Sequence, residues 1–283
     1  MTIDLDSIGK KWIVGERSWS ARDAMLYALG VGAGAKDPFD ELAFTTENSR
    51  DVDQCVLPTF GVVLGSGSGN LSRFGDFPLS SILHAEQALT LHAPLPQAGT
   101  VVTTARVVDI LDKGTGAMII TEAALRDKAS GRLLIQNRNT IFARGEGGYG
   151  GWRGESTVWE QPAGAPDHVV QYQTRRDQAL LYRLSGDGNP LHSDPRMAAD
   201  SGFDRPILHG LCTFGFTGRA LLHTMCDSDP SRFGSIAVRF ASPVIPGDEL
   251  TVRMWDAGDS LKFQTLVGDR VVLDRGLFTR RES

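Results

Sequence analysis

The chain has little of what would tie it to several common partners. No apolar run approaches the roughly 18 residues that a transmembrane helix needs, so no membrane partner is expected. Lysine and arginine total 29 against 34 aspartates and glutamates, a formal net charge of −5. Without a basic excess there is no electrostatic footprint for nucleic acid or an anionic surface. The three cysteines, Cys55, Cys212 and Cys226, are far apart and show no C-x-x-C spacing, which excludes a disulfide framework and a zinc ribbon. The start, Met1 to Asp6, is acidic without a cationic leader, and the final Arg280-Arg281-Glu282-Ser283 is not a Ser-Lys-Leu address. A reducing, cytoplasmic setting is the expectation.

What is present is a globular composition, 41% apolar and 22% charged over 283 residues, enough for two domains. The sharpest shift is Gly145–Asp167, with five glycines up to Gly151 and then Pro162, Gly164 and Pro166. Glycine makes such a stretch costly to order and proline interrupts helices and strands. A first domain over 1–150, a linker over 151–167 and a second domain over 168–283 are therefore expected. The halves echo each other. Pro94–Gly99 leads into the β-branched run Thr100–Asp109, as Pro243–Asp248 leads into Glu249–Asp256. Gly131–Arg138 is matched by Asp269–Arg275, and both runs end in Phe-x-Arg, at Phe142–Arg144 and Phe278–Arg280. Ser20 followed by Arg22–Gly30 predicts a capped helix, Leu208–Met225 a buried one, and Leu57–Phe60 a strand. One helix followed by strands in each half implies an α+β layer, a sheet wrapped round a helix, twice over.

Chemistry concentrates in Tyr182-Arg183-Leu184-Ser185-Gly186-Asp187-Gly188-Asn189-Pro190-Leu191-His192-Ser193-Asp194-Pro195. Gly186, Gly188 and Pro190 forbid regular structure, so Asp187, Asn189 and His192 share a compact loop. A carboxylate and a neutral imidazole can hold one water between them for acid/base work; as turn formers, Asp187 and Asn189 equally suit a purely structural loop. Just downstream, Pro206 and Gly210 bracket a helix start, where the Gly210 N–H lacks an intrahelical acceptor and faces the positive end of the dipole; it suits a developing oxyanion, or simple packing.

That string, with Gly202-Phe203-Asp204-x-Pro206-Ile207-Leu208-His209-Gly210-Leu211-Cys212-Thr213-Phe214, resembles the hydratase 2 signature of MaoC-like (R)-specific enoyl-CoA hydratases. Tyr27–Gly32, Leu57–Gly61 and Leu111–Gly116 extend the resemblance to the first half, as in the hydratase 2 domain of peroxisomal multifunctional enzyme type 2. The resemblance implies a double hotdog fold whose first half helps house the acyl chain. It also implies reversible hydration of a trans-2-enoyl-CoA to a (3R)-3-hydroxyacyl-CoA, without metal or other cofactor. Asp187 and His192 become the acid/base pair, Asn189 their neighbour in the catalytic set, and Gly210 the oxyanion donor. His192 is expected to activate water, although the residues leave that choice open. His84, Ala85, Lys113, Gly188, Pro190, Leu191 and Phe240 become substrate contacts. Ala85 departs from the commoner His-Gly of the family, and Glu47 stays outside the catalytic set because its local spacing differs. An acyl-CoA thioesterase and a non-catalytic acyl-CoA-binding module are the alternatives. A homodimer is expected. The run Gly65–Gly69 reads as a loop beside the acyl pocket, His192-Ser193-Asp194 offers no complete metal site, and His92, His168 and His223 have no partner legible in the sequence.

Overall fold

The computed structural model describes residues 3–65, 73–78, 81–155, 159–256 and 260–281; beyond Gly65, the Gly65–Gly69 run lies outside them. Five strands form in the first half: Lys11–Trp19 (β1), Ile82–Leu91 (β2), Gly99–Asp112 (β3), Gly116–Asp127 (β4) and Leu133–Arg144 (β5). Five follow in the second: His168–Gln173 (β6), Phe233–Phe240 (β7), Glu249–Asp256 (β8), Leu261–Val267 (β9) and Arg270–Arg280 (β10). Along β3, Val101, Thr103, Ala105 and Val107 are buried while Thr104 and Arg106 are exposed, the period-two pattern of a sheet with one face on a core. All pairings are antiparallel, in the order β1-β3-β4-β5-β2-β7-β10-β9-β8-β6. Inward from each edge the order repeats, β1-β3-β4-β5-β2 against β6-β8-β9-β10-β7, and the halves meet along β2 and β7. The strands led by the two proline–glycine segments, β3 and β8, hold equivalent places. So do β5 and β10, which close on the two Phe-x-Arg sequences.

The helix Gly210–Met225 (α6) lies against β7 and β10, and twelve of its sixteen residues are buried. Burial on this scale leaves no polar stripe, which is why the segment reads as apolar and small rather than amphipathic. Its counterpart in the first half is short: a 3-10 turn, Pro58–Phe60, running into one helical turn, Gly61–Leu64 (α3). Asn137 of β5 donates to the Gly61 carbonyl at 3.0 Å. The Cβ of any other residue at Gly218 would lie 2.4 Å from the Thr59 methyl, so glycine lets α6 cross this segment. The expected strand at Leu57–Phe60 is therefore a helical turn. Pro58 has no N–H for a ladder, and its fixed φ suits a first turn. The helix Ala21–Gly30 (α1) starts in the expected place, with Ser20 and Asp23 forming a capping box. It packs on Leu42–Thr45 (α2) and Gln178–Tyr182 (α4), leaving the sheet's face to Pro58–Leu64, and a short helix, Pro195–Asp200 (α5), precedes α6 in the chain.

The glycine-rich stretch does not hang free. Asp112, at the end of β3, accepts from the N–H groups of Gly114, Gly148 and Gly150, each at 2.8 Å, and its own N–H donates to Trp152 O at 3.0 Å. These bonds, the Gly148 one foremost, hold its pKa down at about 2. A carboxylate with a depressed folded pKa keeps its contribution above the unfolded value and loses it as pH falls through the folded one. Asp112→Asn should therefore speed amide hydrogen exchange of Gly148 and Gly150 at neutral pH. Wild type should show the same release only as pH approaches about 2. Unchanged protection in the variant would remove Asp112 as the anchor.

Candidate active site

Two segments converge at the seam between the halves. The first leaves α4 through a 3-10 turn, Arg183–Ser185, and reverses at Gly186, whose φ of 124° no other residue adopts cheaply. Arg17 of β1 braces the turn from the other half, donating to Ser185 O at 2.9 Å and to Val63 O, in α3, at 2.8 Å. Asp187 follows, half-buried, and one of its carboxylate oxygens accepts the Asn189 N–H at 3.3 Å. The Asn189 side chain caps the next turn, Pro190–His192, by accepting from Leu191 N at 3.0 Å. Asn189 thus orients Asp187 through its main chain and spends its side-chain oxygen on the turn.

His192 is half-buried, with Nδ1 2.9 Å from the Ile207 carbonyl. A carbonyl only accepts, so Nδ1 carries the proton and the neutral ring presents Nε2 as a bare acceptor. Burial lowers its pKa, against the pull of the Ile207 bond and the charge of Asp187. The second segment, Ile207–Gly210, opens α6. His209 is its N-cap and makes no side-chain cap, and Gly210, as the first helical residue, has an N–H with no intrahelical acceptor. Cys212 and Thr213 instead donate to His209 O.

On the first-half side, the β2–β5 register shifts between His84 and Glu86, leaving Ala85 outside the ladder. The His84 Nε2 accepts from the Asn139 side-chain N–H at 2.8 Å, and the ring lies 4.5 Å from that of Phe240. Burial brings its pKa to about 4, against the opposing charge of Asp187, so it is neutral near pH 7. A Cβ at Gly210 would meet the Phe240 ring at 2.9 Å. His84, Phe240, Gly210, Asp187 and His192 thus form one cluster, with Gly188 and Pro190 exposed and Leu191 half-buried on the loop. Lys113 stands apart at the β3–β4 hairpin, β4 and β5 separating it from β2, with its ammonium on Arg153 O. Chemically, the cluster offers a carboxylate, an unprotonated imidazole nitrogen and a free helix N-terminal N–H. Among the described residues, no three His, Cys, Asp or Glu are grouped to hold a metal, and no helix is long and apolar enough to cross a membrane.

The sequence profile of the MFE-2 hydratase 2 N-terminal domain matches residues 18–145, and that of the MaoC like domain matches residues 158–274. The 3-hydroxyacyl-thioester dehydratase Y of Mycobacterium tuberculosis is 44% identical over 98% of each chain. This chain belongs to the MaoC-like hydratase 2 family. The peroxisomal multifunctional enzyme type 2 of Drosophila melanogaster is 43% identical over 88% of this chain, which spans 43% of that longer protein. The crystal structure of a MaoC-like dehydratase from Phytophthora capsici superposes with a TM-score of 0.89, at 31% identity and 99% coverage of both chains. A Mycobacterium tuberculosis protein with a double hotdog fold has a TM-score of 0.61 at 16% identity, over 97% of this chain and 96% of that one. The ten-stranded sheet of this MaoC-like chain is a double hotdog.

Three site residues of this MaoC-like hydratase 2 chain escaped the sequence reading. Arg17 sits on an edge strand 168 residues from its acceptor at Ser185, and nothing local marks it. Asn139, 55 residues from His84, is one polar residue among several on β5. His209 lies inside the recognised string, and its position beside Gly210 was the one available signal.

Proposed function

We propose that this chain is an enoyl-CoA hydratase 2, adding water reversibly to a trans-2-enoyl-CoA to give a (3R)-3-hydroxyacyl-CoA. The observation that carries the reading is the His192 ring, tied through Nδ1 to Ile207 O so that Nε2 is bare beside Asp187 and the first N–H of α6. The thioester makes C3 electrophilic. Water held between Asp187 and His192 gives its hydroxyl to C3 and its proton, through the pair, to C2. One water is consumed and the pair ends in its starting protonation state. Negative charge developing on the thioester oxygen falls to the Gly210 N–H, aided by the positive end of α6. The main chain at His84 and Ala85, the loop from Asp187 to His192, Phe240 and the more distant Lys113 bind the CoA ester. No cofactor beyond the CoA thioester substrate enters this chemistry.

The first half, 1–150, accommodates the acyl chain, with 151–167 joining it to the catalytic half, 168–283. One observation supports this: the first-half helix Pro58–Leu64 is much shorter than α6, which spans Gly210–Met225, and so leaves more of the sheet's inner face uncovered by helix. The protein works as a cytoplasmic homodimer, which fractionation and solution mass will test.

The function itself is tested by the enoyl-thioester absorbance with trans-2-enoyl-CoA of several lengths, the product being coupled to an (R)-specific and then an (S)-specific dehydrogenase. The band should fall and only the (R) coupling should respond. Free thiol without loss of the band would replace the hydratase with a thioesterase, and an (S) response would reverse the stereochemistry.

A further inference from the structure

The imidazole of His209 occupies a position that α6 alone does not require. N-cap residues with short polar side chains usually accept a first-turn N–H; His209 does not, and its ring turns back towards the catalytic loop. Its Nε2 lies 3.1 Å from the Asp187 carbonyl, so that nitrogen is the protonated one. Its ring lies over His192 with centroids 3.8 Å apart and planes 32° from parallel, and Tyr182 backs it at 4.9 Å. The side chain is buried, 1% of the residue being exposed. The two bonds form a reciprocal brace: His209 donates to the carbonyl of residue 187, and His192 donates to that of residue 207.

We propose that His209 is the positioning residue of the acid/base pair, fixing the main chain at Asp187 and the plane of the His192 ring in one stroke while itself remaining neutral. This rests on the reading of Asp187 and His192 as that pair. Neutrality follows from geometry. With Nε2–H committed to Asp187 O, a second proton would sit on Nδ1, which is buried and has no hydrogen-bond partner. The charge would face the His192 ring from the loop and Arg183 from the turn after α4, with Tyr182 offering only a ring face and the Asp187 contact only a carbonyl. Burial first, then the charge of His192, brings the His209 pKa to about 3. A neutral, immobile ring gives His192 a stacking surface that does not titrate across the working range. The bare Nε2 of His192 therefore keeps one direction.

The test uses His209→Phe, which keeps a stacking ring without the donor, and His209→Gln, which keeps a donor without the ring. Both should lower kcat for crotonyl-CoA about tenfold to a hundredfold, the range for a small misplacement of reacting groups, with KM changed far less. Nitrogen-15 NMR of the substrate-free wild type should show His192 as the Nδ1-protonated tautomer and His209 neutral below pH 5. In His209→Phe the His192 tautomer should mix and its titration move. Lost thermal stability with kcat and the His192 signals unchanged would reduce His209 to packing and overturn the proposal. So would a wild-type His209 that titrates near pH 6, a result that needs no variant to fold. A wild type without hydratase activity would overturn the functional reading instead, and the NMR arm would still decide whether His209 holds His192.

Discussion

His192→Ala and Asp187→Ala each lower kcat for enoyl-CoA hydration by about 10²–10⁴-fold, the usual contribution of a positioned acid or base, with little change in thermal midpoint. Both side chains are only half-buried on a loop, so truncation empties no core space. Because one water is held by both groups, the double variant should fall little below the worse single, as groups acting as a unit do. The pH dependence has a definite sign. Burial lowers the His192 pKa from its ordinary value near 6.5, so the ring is neutral at pH 7 and above. Activity should be level around neutrality and fall on the acid side, below about pH 6.5, as Nε2 takes a proton and ceases to accept one from water. Initial rates at the enoyl-thioester band from pH 5 to 9, for wild type and the three variants, supply the check. Near-wild-type rates for either single variant would remove that residue from the reaction.

Much of this site was legible because it is local. Asp187, Asn189, His192 and Gly210 fall within 24 residues of sequence, and the glycines and prolines between them announce a loop before a helix. The sheet was legible from its repeated proline–glycine lead-ins, which now mark β3 and β8. What stayed hidden depends on long-range partners. His223, without a visible partner in the sequence, meets Glu41 across 182 residues at 2.7 Å and Ser228 at 2.8 Å. The helix of the first half was hidden for a different reason. Its seven residues are too few for a 3.6-residue period to stand out, whereas α1, with a capping box, announces itself and packs elsewhere. Lys113, assigned a substrate contact from the resemblance, lies on a hairpin whose distance from the loop no local spacing encodes.

Arg219→Ala should destabilise the fold by about 3–5 kcal/mol, the cost of breaking a buried pair and leaving one charge behind. Arg219 rises from the middle of α6 with its side chain 3% exposed, and Glu41, from the first half, is 14% exposed. The pair is bidentate, Nε to Oε1 at 2.9 Å and Nη2 to Oε2 at 2.7 Å. Nη1 donates to Val31 O at 2.6 Å, and the guanidinium lies 4.4 Å from the Tyr172 ring centroid. His223 and the Gly34 N–H complete the carboxylate. Burial alone would raise the Glu41 pKa, but the bonds from His223 and Arg219 and the charge of Arg219 outweigh it and bring it to about 2. Its contribution is therefore complete above its unfolded value near 4.5 and is lost as pH falls from there towards about 2. Urea unfolding of wild type at pH 7 and pH 3 should show part of this loss, and Arg219→Ala should show little further change between the two. The informative comparison is Arg219→Met with Glu41→Leu. If the double variant regains most of the stability that Arg219→Met alone loses, the cost of the single change is the stranded carboxylate. If it stays as unstable as the single, the bonds to Val31 and the contact with Tyr172 hold the first half to α6 by themselves, and the ion pair is secondary to them. An Arg219→Ala midpoint equal to wild type would refute both.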